Sequence, residues 1–91
     1  MIRRQILFFH ADYCKPCGHA KRTLIADVQL ECPDQVVLVD VQNDPADLAR
    51  RHHVSGLPAI ALMDNGVKVG LITGKLPTKE ELIEFLKGSW T

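Results

Sequence analysis

Gln5-Ile6-Leu7-Phe8-Phe9-His10-Ala11-Asp12-Tyr13-Cys14-Lys15-Pro16-Cys17 is the stretch that decides how this chain folds. Ile6 to Phe9 is apolar without alternation, the mark of a strand covered on both faces. Ala11-Asp12-Tyr13 reads as a short loop. From Cys14 the spacing changes: Cys17, Ala20, Leu24 and Val28 recur at three and four, which predicts a helix to about Val28. Pro16 falls in the first turn, where a missing N–H is tolerated. Lys21, Arg22 and Asp27 are left to face water. Two cysteines three residues apart at a helix start can bring their sulfurs together across one turn. The free N–H groups there favour the thiolate of the first. A reactive, reversible disulfide is the chemistry this arrangement allows.

Downstream, Glu31-Cys32-Pro33-Asp34-Gln35 reads as a loop, and Val36 to Val41 as a strand rich in β-branched residues. Asn43-Asp44-Pro45 is expected to open a helix running to about His53, with Asp44 as N-cap and Pro45 near its first position. Ala59 to Met63 predicts a third strand. Asn65-Gly66 marks a hairpin turn, from which Val67 to Ile72 returns as a fourth. Thr78-Lys79-Glu80-Glu81 is a capping box ahead of Leu82, Ile83, Phe85 and Leu86. The order is βαβαββα. The first two strands are expected to lie parallel as neighbours or near-neighbours, the last two as an antiparallel hairpin. Helices are expected on both faces.

Ninety-one residues predict a single domain over 1–91, and 46% apolar residues allow a core. A net charge of zero, with no basic stripe, points away from nucleic acid. No segment approaches the roughly 18 apolar residues of a membrane span. Arg3-Arg4 precede an apolar run too short for a signal peptide, with polar His10 and Asp12 following at once. Three cysteines, an odd number, do not suit a purely structural disulfide framework. The expectation is a soluble, cytoplasmic protein.

Three stretches in order resemble the thioredoxin superfamily across residues 5 to 88. Tyr13-Cys14-Lys15-Pro16-Cys17 is similar to the thioredoxin motif, with Tyr in the usual Trp place and Lys in the usual Gly place. Val54-Ser55-Gly56-Leu57-Pro58 resembles the loop that carries a cis-proline. Asn65-Gly66, Gly70 and Gly74, then Lys79-Glu80-Glu81-Leu82, resemble thioredoxin C-terminal ends. The resemblance implies an α/β, minimal thioredoxin fold: a four-stranded mixed sheet with helices on both faces, lacking the additional leading strand and helix of longer members. Thioredoxins usually hold a buried Asp six residues before the first cysteine. Phe8 stands there, and the place of a companion Lys falls near Leu38.

The chemistry assigned is dithiol–disulfide exchange, with no bound cofactor. Cys14 is the candidate nucleophile, favoured as thiolate by the helix start and by Lys15, while Asp12 acts in the opposite direction. Cys17, one turn deeper, is the candidate resolving thiol. Pro16 stiffens the turn and Tyr13 is expected to cover the disulfide. Pro58 is expected to be cis, leaving the Leu57 backbone free to pair with a substrate chain. Gly56, Gly70 and Gly74 are expected to leave backbone open beside the disulfide. His10 ends the first strand where thioredoxins often have an aromatic, and is a candidate to hydrogen-bond or titrate near the site. His19 is expected to be solvated and Cys32 to sit as a bystander in a loop, able to dimerise the protein if exposed.

Competing readings are inert core cysteines and a zinc site joining Cys14 and Cys17 with His52, His53 or Cys32. Adjacent side chains on a helix diverge by about 100°, which disfavours His52 and His53 as a ligand pair. An iron–sulfur cluster shared between chains is a further form. The resemblance implies disulfide-containing protein substrates, a thioredoxin reductase-type electron donor, ribonucleotide reductase as a family substrate, and a monomer. The alternatives are a glutathione-dependent glutaredoxin, or a non-catalytic thioredoxin-fold binding subunit. Glutaredoxins resemble Cys-Pro-Tyr-Cys, Thr-Val-Pro and a Gly-Gly-x-x-Asp cap. Here stand Cys14-Lys15-Pro16-Cys17, Gly56-Leu57-Pro58 and, after Gly74, Lys75-Leu76-Pro77-Thr78.

Overall fold

Apolar continuity in β1 (Arg4–His10) has a direct structural cause: its side chains enter two separate cores. Successive residues of a strand point to opposite faces. Ile6 and Phe8 join Ala20, Ile25, Val28, Leu82 and Phe85 on one side. Leu7 and Phe9 join Val39, Ala59, Ala61 and Met63 on the other. The computed structural model describes residues 3–88. The sheet has the order β2-β1-β3-β4. β2 (Val36–Asp40) runs parallel to β1, β3 (Ala59–Asp64) antiparallel to it, and β4 (Val67–Thr73) antiparallel to β3. At the turn, Asn65 and Gly66 both adopt positive φ, as the two-residue hairpin requires.

The helical run after Cys14 extends past Val28 to Glu31, in three parts: α1 (Lys15–Ala20), a π-helical segment (Lys21–Ile25) and α2 (Ala26–Glu31). The π turn alters which residues reach the core. After Cys17 and Ala20 the next buried position is Ile25, five residues on, and then Val28; Leu24 is only half-buried. Cys32 sits in the connection after α2, as expected, but it is buried. It is 4% exposed and packs in the core with Val28 and Val36, so it cannot reach a second molecule from the folded state.

The expected helix from Asn43 to His53 is a single turn, α3 (Leu48–Arg51). Asp44 does not sit at the N-cap position; Asp47 does, in the left-handed region at φ 56°. The Asp44 carboxylate nevertheless accepts the N–H groups of Leu48 (3.0 Å) and Ala49 (2.9 Å), capping the turn from upstream. That bonding replaces helix with a turn over 44–47, so Pro45 lies outside the helix. Leu48 and Ala49 then pack on the second core face. The bonds from Ala49 and Leu48 hold the Asp44 carboxyl below its ordinary pKa. A depressed carboxyl contributes stability above its unfolded pKa, and that stability is lost as pH falls through the folded value. Asp44→Ala is expected to lower unfolding free energy by about 0.5–2 kcal/mol at neutral pH. In urea titrations the difference from wild type should shrink on acidification below about pH 4.

α4 (Lys79–Leu86) starts as the sequence predicts. Thr78 Oγ1 accepts the Glu81 N–H at 3.2 Å, and Glu81 Oε1 accepts the Thr78 N–H at 3.1 Å. Its Leu82, Phe85 and Leu86 close the first core.

Candidate functional site

Four strand ends meet at one edge of the sheet. His10 pairs with Asp40, Phe9 with Ala59, and Ala59 with Thr73. The chain therefore leaves β1 at the same edge where it enters β3, bringing Cys14 and the Leu57-Pro58 segment together. Cys14 is the N-cap of α1, in an extended conformation. Its Sγ accepts the Cys17 N–H at 3.2 Å, and its N–H donates to the Ala11 carbonyl at 3.1 Å. Cys14 and Cys17 form a disulfide, their Cα atoms 5.3 Å apart. Exposure divides the pair: Cys14 is half-buried and Cys17 is 1% exposed. Pro16 sits in the first turn and, with Lys15, faces solvent.

Beside Cys14 runs a groove of about 370 Å³ lined by Tyr13, Val41, Ala49, Val54 and the 55–57 segment. Tyr13 is 73% exposed and forms one wall of the groove beside Cys14. The Leu57–Pro58 peptide bond is cis, Pro58 is buried, and Gly56 is exposed with open space where a Cβ would be. Gly74 follows Thr73 at φ 73°, also with open space, at the same sheet edge. Gly70 does not lie beside the disulfide. It faces Leu62 in the hairpin, where an added Cβ would come within 3.2 Å of the Leu62 side chain.

Sequence reasoning missed three contributors. Val41 and Ala49 line the groove from the β2–α3 region, and Gln42 Oε1 accepts the Asp12 N–H at 2.9 Å, tying the loop before Cys14 to the end of β2. None carries a motif; only the topology brings them near. His19 is exposed, as expected. His52 is half-buried, its carbonyl bound to Lys68 Nζ at 2.7 Å, and its pKa lies below the usual value through burial and nearby Lys68 and Arg51. Among the described residues no three His, Cys, Asp or Glu side chains cluster to hold a metal ion. No helix there is long and apolar enough to cross a membrane.

A sequence model of the thioredoxin family matches residues 2–88. The chain belongs to the thioredoxin family. Among solved structures it is similar to a mutant thioredoxin from Halobacterium salinarum (25% identity, TM-score 0.77), with 93% of this chain and 73% of that one covered. Mitochondrial thioredoxin 3 from Saccharomyces cerevisiae is 26% identical at TM-score 0.74, covering 93% and 77%. A reduced thioredoxin from Schistosoma mansoni is 26% identical at TM-score 0.71, again over 93% and 77%. With the family and the Cys14–Cys17 disulfide together, the chain is a thiol–disulfide oxidoreductase.

Proposed function

We propose that this protein reduces protein disulfides through the Cys14–Cys17 couple, acting as a single cytoplasmic domain and a monomer. The observation that carries this reading is the unequal exposure of the pair at the foot of an open groove. Cys14 is reachable and Cys17 is not. Cys14 as thiolate attacks a substrate disulfide and forms a mixed disulfide; Cys17 then attacks Cys14 and releases the reduced product. Tyr13, Lys15 and Pro16 tune the couple. Gly56, Leu57, Pro58 and Gly74 present the surface on which an extended substrate segment lies. A thioredoxin reductase-type donor returns the disulfide to the dithiol, and ribonucleotide reductase belongs to the class of protein substrate expected.

The midpoint potential of the pair tests this. Alkylation of free thiols across dithiol redox buffers, read by mass, should give a value near the ~−270 mV of a reductant. A value at or above ~−200 mV would assign an oxidising or glutaredoxin-like role instead.

A further inference from the structure

We propose that His10 is the proton acceptor for Cys17 in the resolving step, acting through water in a cleft that both residues line. The proposal rests on the oxidoreductase reading and adds the base that reading lacks. Cys17 is 1% exposed, and burial disfavours a thiolate. Its proton must go to a neighbour before its sulfur can attack. On the side of the disulfide away from the groove lies a cleft of about 490 Å³ lined by His10, Asp12, Cys14, Cys17, Lys21 and Arg22, with Leu38 and Gln29. Its volume admits several waters.

The strand fixes the side on which His10 stands. Residues two apart on a strand share a face. The rings of Phe8 and His10 stack, with centroids 5.8 Å apart and planes at 18°. Phe8 points into the core formed with Ala20, Ile25 and Val28, so His10 lies on the face covered by the helical run that carries Cys17. Phe8 and Leu38, paired across β1 and β2, supply no ionisable group deeper along that face. At the sheet edge His10 is the first one the strand provides. Facing it are Asp12 from its own loop, Lys21 and Arg22 from the π segment, and Asp40 paired opposite in β2, whose Oδ1 accepts the Gln42 N–H. Ammonium and guanidinium groups are protonated donors at neutral pH, and carboxylates are weak bases there. An imidazole can take up a proton on a ring nitrogen and hand it back, which makes histidine the side chain most often used for proton transfer in catalysis.

Cys14 thiolate attacks one sulfur of the substrate disulfide, whose S–S bond breaks to release one substrate thiolate. The Cys17 S–H proton passes through water to the imidazole. The Cys17 sulfur attacks Cys14, and the Cys14–substrate bond breaks as the Cys14–Cys17 bond forms. The second substrate thiolate leaves and takes the proton from the imidazolium. Two electrons move from dithiol to substrate.

Stopped-flow reaction of the reduced protein with an aromatic disulfide that releases a coloured nitrothiolate separates the steps. The first release reports attack by Cys14 and the second reports resolution by Cys17. His10→Gln is expected to slow the second release about 10²-fold near neutral pH, leaving the first unchanged. The pH profile of the second release should move up toward the ionisation of the thiol itself, and added imidazole should restore the rate. A second release in His10→Gln with wild-type rate and pH profile overturns the proposal, as does Asp12→Asn slowing that step in its place. If His10→Gln does not fold, wild type decides. The kinetic inflection of the second release must coincide with the His10 ring titration followed by NMR, and a mismatch overturns the assignment. A wild-type protein that makes the first release and never forms its disulfide sinks the oxidoreductase reading, and the proposal with it.

Discussion

Cys14→Ser is expected to abolish turnover of protein disulfides while leaving the fold intact. Cys14 is half-buried at an N-cap, outside both hydrophobic cores, so a hydroxyl in place of the sulfur removes no packed apolar volume. Serine is itself a favoured N-cap, and its oxygen can accept the Cys17 N–H that Cys14 Sγ accepts now. What is lost is the nucleophile: an alcohol does not attack a disulfide under conditions where a thiolate does. Insulin turbidity or coupled reductase assays should fall to the uncatalysed background, with an unchanged unfolding curve for the reduced protein. Cys17→Ser should separate the two halves of the reaction. Cys14 still attacks, the mixed disulfide is not resolved, and mass spectrometry should find the substrate attached to Cys14. If Cys14→Ser kept full biological function, the chain would be a binding subunit whose disulfide is incidental.

The sequence carried much of this site because its parts are local. The Cys14-Lys15-Pro16-Cys17 turn, the Asn65-Gly66 hairpin and the Thr78–Glu81 capping box are each decided by residues within one turn of each other. The structure has all three where the sequence puts them. What escaped is set by competition between local bonds or by tertiary approach. The 3.6-residue period placed Leu24 in the core; the π turn over Lys21–Ile25 substitutes Ile25, and nothing in the spacing of apolar residues reports the one extra residue that a π turn accommodates. Asp44 has the chemistry of an N-cap, but its carboxylate reaches Leu48 and Ala49, which turns the predicted first helical turn into a loop. The groove needs Val41, Ala49 and Val54 beside Cys14, a juxtaposition created by strand order β2-β1-β3 and by no nearby pattern.

Phe8→Asp is expected to be the most destabilising single change at this site, although it restores the residue type that thioredoxins usually hold there. Phe8 is 0% exposed and packs among Ile6, Ala20, Ile25, Val28 and Ile60. Removing a buried phenyl ring costs about 3–5 kcal/mol. A buried carboxyl without a partner costs about 1–3 kcal/mol more. Across the register stands Leu38, which offers the new group neither a charge nor a hydrogen bond. The stacking partner of His10 disappears as well. Domains of this size have about 5–15 kcal/mol to lose, so much of the population should be unfolded in mild urea. Desolvation raises the folded pKa of the new carboxyl above its unfolded value. The variant should therefore be most stable below about pH 4 and lose stability as pH rises through the folded pKa, opposite in sign to the behaviour of Asp44 in the wild type. Phe8→Leu, which keeps an apolar side chain, should cost less than half as much and show no such pH slope, separating lost volume from buried charge. Adding Leu38→Lys to Phe8→Asp should recover part of the loss near neutral pH, because the register sets the two residues opposite each other on neighbouring strands. Urea midpoints unchanged in Phe8→Asp would mean that the first core is hydrated at this end. The apolar pairing of Phe8 with Leu38 would then not be what forces proton transfer outward to the sheet edge.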